Sequence, residues 1–313
     1  MSLVTNSALM VPARESGYAV GAFNTSNLEI TQAVFEAAVE QRSPVIIATS
    51  QSAIKYAGYS NIVSMVANLA RETDVPASLH LDHGTDLEVI QACIEHGWTS
   101  VMIDGSHHPL EENIAVTRQV VEMARPKEVS VEAELGRLMG VEDEIEVSEG
   151  EAVYTDPEEA ERFVSETGCD ALAVAIGTSH GAYKFKGEAK LAVDRLRAIA
   201  DRVEIPLVLH GASAVPQDVL ELARRYGADL PGARGVPAES IKEAVGHGIA
   251  KINIDTDLRL AFTARVREFL AEQPEVFDPR KILAAARAGM KDVVTTKMKL
   301  FGSAGTLENR PGA

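Results

Sequence analysis

The sequence predicts an α/β fold, a single (β/α)8 TIM barrel with a C-terminal helical extension, and three observations carry that reading. Short apolar runs of strand length alternate with stretches of helical periodicity, the pattern of parallel β/α units. The runs number eight, the count that closes such a barrel. The chain of 313 residues accommodates a barrel of about 250 residues plus insertions. No linker divides it, so residues 1–313 read as one domain.

In chain order the strand-like runs are Ala19–Phe23, Val45–Thr49, Ala77–Leu81, Ser100–Ile103, Val129–Leu135, Ala171–Ile176, Pro206–Leu209 and Ile249–Ile254. Helical periodicity fills the gaps at Leu28–Gln41, Ile62–Thr73, Leu87–His96, Leu110–Arg125, Pro157–Thr167, Leu191–Asp201 and Pro216–Tyr226. Leu258–Ala271 and Pro279–Leu300 form the helical extension. Hydrophobic residues make up 46% of the chain but aromatics only 5%, so the core is built from Val, Ile, Leu and Ala, as buried parallel strands prefer. Two charged or Gly/Pro-rich segments, Gly136 to Thr155 and Tyr226 to Glu239, read as insertions of the length that functional loops adopt.

Charge narrows the partners. The 46 acidic and 30 basic residues give a formal charge of −16, which repels a phosphate backbone and disfavours nucleic acid. A small anionic substrate stays compatible, because backbone N–H groups and helix N-termini hold phosphate whatever the global charge. Cys93 and Cys169 are isolated in apolar settings, which suits a reducing cytoplasm. The N-terminal stretch carries Asn6, Arg14 and Glu15 in place of a signal core, and no apolar run reaches membrane-spanning length. The expected location is therefore cytoplasmic, with no membrane partner.

Active groups of a barrel come from the C-terminal ends of strands and the loops that follow. Three strand ends each deliver a histidine followed by glycine: His83-Gly84, His180-Gly181 and His210-Gly211. Any one of them alone reads as a hydrogen-bonded loop residue, whereas three converging on one rim form the ligand set of a catalytic zinc with an open position. Sites made of three histidines accept cobalt as well. Two lone cysteines do not build a closed structural site. Of the other histidines, His96 and His247 precede turns, His107 and His108 lie in a polar loop, and His80 points into the barrel.

Period-2 alternation puts Glu132 and Glu134 on one inward face, and Asp82 and Asp104 add acids to the same rim. Glu132 either orients a ligand or pairs with a base such as Arg137. In Lys251-Ile252-Asn253-Ile254-Asp255-Thr256-Asp257, Asn253 and Asp255 share the inward parity, while Thr256 or Asp257 caps the next helix. With Gly181 and the Gly211-Ala212-Ser213 turn, that cap provides backbone N–H groups for phosphate.

These residues resemble the class II, metal-dependent ketose-bisphosphate aldolase family, close to the fructose-bisphosphate aldolases of thermophilic bacteria. The similarity spans nearly the whole chain: Gly21-Ala22-Phe23-Asn24, His80 to Gly84, Val131 to Gly136, Ala173 to Tyr183, Leu209 to Ser213 and Lys251 to Arg259. It implies Zn2+ on His83, His180 and His210, with Co2+ as an alternative, a second metal position at Asp104 and Glu134, and a monovalent cation. It also implies Asp82 as the proton donor at the scissile bond and Glu142 as a mobile loop acid. The loop before Glu142, Arg137-Leu138-Met139-Gly140, is less glycine-rich than in some relatives. Asn24, Ser50, Gly181, Lys184, Gly211, Ala212, Ser213, Asn253, Ile254, Asp255, Thr256 and Arg259 would bind the phosphorylated sugar. The implied reaction is reversible cleavage of fructose 1,6-bisphosphate to dihydroxyacetone phosphate and glyceraldehyde 3-phosphate, in glycolysis and gluconeogenesis, by a homodimer or homotetramer.

Three other readings stand beside it. The sugar could be tagatose 1,6-bisphosphate, which differs in one hydroxyl configuration. A Schiff-base aldolase would use Lys184 or Lys251 as nucleophile, but leaves the histidines idle. A non-catalytic subunit that stabilises an aldolase would not need Asp82 or a complete ligand set.

Overall fold

The computed structural model describes residues 3–137, 139–142, 145–147, 153–180, 191–214, 216–230 and 235–308; for 139–142, 145–147 and 179–180 the description is of the backbone. The strands are β1 (Val20–Asn24), β2 (Val45–Ser50), β3 (Ala77–Gly84), β4 (Ser100–Ile103), β5 (Ser130–Leu135), β6 (Met139–Glu142), β7 (Ile145–Val147), β8 (Ala171–Val174), β9 (Ser179–His180), β10 (Leu207–Leu209) and β11 (Ile249–Ile254). The helices are α1 (Asn6–Ser16), α2 (Leu28–Glu40), α3 (Gln51–Ala57), α4 (Tyr59–Arg71), α5 (Leu87–His96), α6 (Leu110–Ala124), α7 (Pro157–Thr167), α8 (Val193–Ala200), α9 (Gln217–Arg225), α10 (Ala238–Val245), α11 (Thr256–Glu272) and α12 (Pro279–Leu300).

Eight parallel strands close in the order β1-β11-β10-β8-β5-β4-β3-β2, so each expected apolar run has become a barrel stave. Alternation along the staves separates two cores. Outward-facing Phe23, Ile47, Leu79, Leu81, Val101, Val131, Leu172, Leu209 and Ile252 pack with the surrounding helices. Inward-facing Val20, Ala22, Ile46, Met102, Ala171, Ala173 and Val208 fill the barrel floor. Four of the helices, α2, α5, α7 and α12, start where an Asn or Asp side chain satisfies a free N–H group: Asn27 accepts from Ile30, Asp86 from Glu88, Asp156 from Glu158 and Asp278 from Arg280.

Three helices were not anticipated from periodicity. α1 closes the barrel from below, placing Leu9, Met10 and Ala13 against the floor residues. Arg14 on α1 donates to the carbonyls of Ala200 at 3.2 Å, Val203 at 2.7 Å and Ile205, tying this lid to the C-terminal end of α8. α3 is too short to display a helical period, and α10 begins at the C-terminal end of the Tyr226–Glu239 segment that reads as an insertion. The Gly136–Thr155 insertion carries an antiparallel hairpin, β6 with β7, and β6 also pairs in parallel with β9. Among the described residues no helix is long and apolar enough to cross a membrane.

The helical extension bears on the barrel mouth. α12 packs on α2 through Lys291–Glu40 at 2.6 Å and through Arg287 with Glu36. Near its C-terminal end, buried Lys297 lies 2.7 Å from buried Asp257, whose carboxylate accepts the Ala214 N–H at 3.1 Å. The loop after β10 is thereby anchored to two helices.

Replacing Lys297 with Met should take away the cation that faces buried Asp257, lowering unfolding free energy by about 3–5 kcal/mol in denaturant titration. Trp98 is 1% exposed, packs edge-on against Tyr59 and donates from Nε1 to Thr49 at 3.0 Å. Trp98→Ala should cost about 3–5 kcal/mol. Burial pushes the thiols of Cys93 and Cys169 up to about 12. A thiol-exchange reagent at pH 8 should therefore label neither until the chain is unfolded.

Candidate active site

Above the apolar floor, the inward positions of the same strands turn polar. β3 contributes His80 and Asp82, β5 Glu132 and Glu134, β11 Lys251 and Asn253, and the end of β10 His210, all of them buried. At the end of β3 the backbone bends sharply. His83 adopts φ 48°, a conformation that side chains other than glycine rarely take. A Cβ on the following Gly84 would sit 2.4 Å from the Met102 carbonyl, so only glycine fits there. The bend carries the His83 ring to His210 and Asp104.

His83 and His210 meet edge to face, with ring centroids 4.5 Å apart. Their facing nitrogens, His83 Nε2 and His210 Nδ1, are 2.9 Å apart. Each opposite nitrogen is backed by a carboxylate: His83 Nδ1 donates to Asp104 Oδ2 at 2.9 Å, and His210 Nε2 donates to Glu132 Oε1 at 2.8 Å. Asp104 is itself held by the Ser106 N–H at 3.1 Å and hydroxyl at 2.7 Å. Carboxylates accept only, so both tautomers are fixed and each ring aims a lone pair at the other. Two lone pairs at that distance need a proton or a cation between them, and this arrangement suits a divalent metal held by neutral imidazoles.

The electrostatics describe the same contest. Burial opposes a charge on His83, but the Asp104 hydrogen bond and the nearby charges of Asp82, Asp104 and Glu134 raise its pKa to about 10. Burial and the neighbouring His83 hold His210 below its ordinary value. Asp104 and Glu132, despite burial, stay well below the usual carboxylate range beside His83 and Lys251 respectively. Glu134 goes the other way, pushed up by burial and by Asp104, and its Oε2 is a buried acceptor with no hydrogen-bond partner. His83, Asp104 and Glu134 form a second cluster with ligand-like spacing beside the first, which comprises Asp82, His83 and His210.

Asp82 is clamped. Asn24 Nδ2 donates to one carboxylate oxygen at 2.9 Å and Asn253 Nδ2 to the other at 2.7 Å. Both asparagines keep a buried Oδ1 with no partner. Burial works against the Asp82 charge, but His83, His210 and Lys251 outweigh it and keep the carboxyl ionised. An anionic oxygen in a fixed orientation, next to two unengaged acceptors, is equipped to exchange a proton with a hydroxyl-bearing substrate.

Other expected residues are placed less directly. Ser50 accepts from the Ala53 N–H as the cap of α3. Gly211 adopts φ 60° and Ser213 is buried in the anchored loop. The side chains of Ala212 and Ile254 belong to the apolar core, so these two positions face the mouth with backbone only. Asp255 pairs with Arg259 at 2.7 Å. The expected cap of α11 differs: the cap position is Asp255, without a side-chain cap bond, while Asp257 is drawn inward to Lys297 because a buried carboxylate requires a cation. Thr256 begins α11. Glu132 both orients His210 and pairs with Lys251, at 2.8 Å; Arg137 instead donates to the His107 carbonyl at 3.3 Å. Inward parity of Lys251 with Asn253 was the available signal for that pair.

Gly181 and Lys184 lie outside the described residues, as do the side chains of His180 and Glu142. Their strands are nonetheless adjacent: β6 pairs with β9 in the register Gly140 to His180, so the backbone at Glu142 lies two residues beyond the partner of His180.

A family model described as "Fructose-bisphosphate aldolase class-II" matches residues 4–306. A fructose-bisphosphate aldolase of Thermus caldophilus is 54% identical over 97% of this chain and 99% of its own length. One from Helicobacter pylori is 51% identical over 96% of this chain and 99% of its own. A crystal structure of a putative fructose-1,6-biphosphate aldolase from Coccidioides immitis superposes with a TM-score of 0.81 at 31% identity, covering 97% of this chain and 98% of that one. With the closed barrel and the carboxylate-backed histidines at its mouth, the chain belongs to the class II fructose-bisphosphate aldolases, a metal-dependent family of carbon–carbon lyases.

Proposed function

We propose that this chain, acting as one barrel domain over residues 1–313, catalyses zinc-dependent, reversible cleavage of fructose 1,6-bisphosphate to dihydroxyacetone phosphate and glyceraldehyde 3-phosphate, in glycolysis and gluconeogenesis. The observation that carries the reading is the facing pair of His83 and His210, each fixed by its own carboxylate, beside a clamped and ionised Asp82. In this reading His83, His180 and His210 hold the metal, and Asp104 and Glu134 provide a second position, for which the buried Glu134 Oε2, without a hydrogen bond, speaks. Co2+ substitutes for Zn2+ on such a donor set.

A divalent metal there supplies a Lewis acid for the negative charge that develops on the ketone-side fragment when the carbon–carbon bond breaks. Asp82 takes the proton of the hydroxyl that becomes the aldehyde, and returns it in the synthetic direction. Glu142, on the hairpin strand next to β9, exchanges the proton at the carbon of the ketone-side product. Asn24 and Asn253 aim Asp82 and accept substrate hydroxyls on their open Oδ1 atoms. Ser50, Gly181, Lys184, the Gly211–Ser213 loop, Asp255, Thr256 and Arg259 surround the phosphates, with backbone N–H groups from the loop and from the α11 N-terminus doing the work that net charge does not. A monovalent cation completes the set. Lys251 is unsuited to imine formation, since its ammonium is spent on Glu132. Two buried free thiols suit a reducing cytoplasm, and assembly is as a homodimer or homotetramer.

Purified protein should cleave fructose 1,6-bisphosphate, lose activity in chelator and regain it with Zn2+ or Co2+, while borohydride with substrate leaves no covalent label. Full activity in chelator with covalent labelling would sink the metal mechanism, and faster turnover of tagatose 1,6-bisphosphate would reassign the sugar. Asp82→Ala should retain bound metal and lose about 10²–10⁴-fold in kcat. Wild-type turnover in that variant would remove Asp82 from the proton path.

A further inference from the structure

Below the histidine pair lies a buried ionic group that the proposed reaction does not use. Lys251 on β11 is fully buried, as are His80 and Glu132 around it. All three N–H groups of its ammonium have acceptors: Glu132 Oε1 at 2.9 Å, Glu132 Oε2 at 2.8 Å and His80 Nε2 at 3.3 Å. Lysine only donates, so His80 carries its hydrogen on Nδ1, which lies 2.9 Å from the Ser100 hydroxyl. The lysine is therefore locked from both sides, with no substrate atom needed to satisfy it.

The lock has a direction. Holding both oxygens of Glu132 turns the carboxylate so that Oε1 also meets His210 Nε2 at 2.8 Å. That bond decides which nitrogen of His210 carries hydrogen. It leaves Nδ1 as the lone pair facing His83 Nε2, a position Asn253 Nδ2 also approaches at 3.3 Å. Without the ammonium, a carboxylate in this dry layer has no fixed orientation, and His210 is free to take the other tautomer.

We propose that Lys251 is a positioning residue for the metal: braced by His80, it aims Glu132, which sets the His210 tautomer so that Nδ1 is the donor atom. It touches neither substrate nor metal. The inference rests on the reading of His210 as a ligand, and the two can fail separately.

The test measures Zn2+ dissociation constants by competition with a chelating dye, together with ¹⁵N shifts of the His210 ring in the metal-free protein. Lys251→Met should weaken Zn2+ by about 10–100-fold, the usual cost of losing an outer partner of a metal-binding histidine. It should also convert the His210 signal from a single Nε2–H tautomer to a mixture. Because that variant buries a lone carboxylate, the double variant Glu132→Gln/Lys251→Met carries the same test in a chain free of unpaired charge. It should fold and still bind Zn2+ at least about 10-fold more weakly than wild type. Val208→Ala, a cavity in the floor of the same barrel, should lower stability and leave both readouts unchanged. A double variant with the wild-type dissociation constant and the wild-type His210 spectrum overturns the proposal. His210→Ala is the separate arm: wild-type Zn2+ binding in that variant removes the ligand reading itself, whereas loss of binding there with no effect at Lys251 refutes only the positioning role.

Discussion

Charge buried inside a closed barrel must be answered by other charge, and the chain of contacts from Lys251 through Glu132, His210 and His83 to Asp104 is how this fold answers it. The links to Glu132 and Asp104 are hydrogen bonds to an ionised partner, stronger than neutral ones and directional. The chain crosses the barrel from β11 to β5, to the end of β10, to the end of β3 and on to the residue after β4. Five separate staves are held in register by it at the barrel mouth. Apolar side chains of similar volume would fill the same space at less cost in desolvation. What the polar version provides is orientation.

Orientation also accounts for the layering. The floor of Val20, Ala22, Ile46, Met102, Ala171, Ala173 and Val208 is closed from beneath by α1, so the polar layer has no aqueous exit on that side. Arg14 secures that closure by donating to three carbonyls at and just beyond the end of α8. On the open side, Asp257 and Lys297 pin the loop after β10 to the C-terminal helix. The mouth is thus framed by rigid elements below and by anchored loops around it, as a preorganised site requires. The strained φ at His83 is stored where the next residue is a glycine that nothing larger could replace.

Much of this is legible in the amino-acid sequence. The eight staves, seven of the helices between them and both helices of the extension follow from apolar periodicity, because parallel strands buried on both faces read as continuous apolar runs. Inward parity brought Glu132, Glu134 and Asn253 onto the right face, and histidine followed by glycine at three strand ends pointed to a metal. Periodicity failed where it had too little length to act on, in α3 and α10, and where a helix seals an end instead of a side, in α1. Capping was misread at α11 because Asp257 could not be seen to have a buried lysine waiting 40 residues along the chain.

The sequence by itself determined the class of fold, the family and the residue types at the mouth, since these depend on local pattern and on motifs that are contiguous in the chain. Only the tertiary structure decided which nitrogen faces which. The partnership of His83 with Asp104 spans 21 residues, that of His210 with Glu132 78, and that of Lys251 with Glu132 119. Separations of that size leave no periodic trace in a sequence. They come from barrel closure, which brings β11 beside β1 and sets the inward residues of all eight staves facing one another across a space too small for solvent to replace the missing partner.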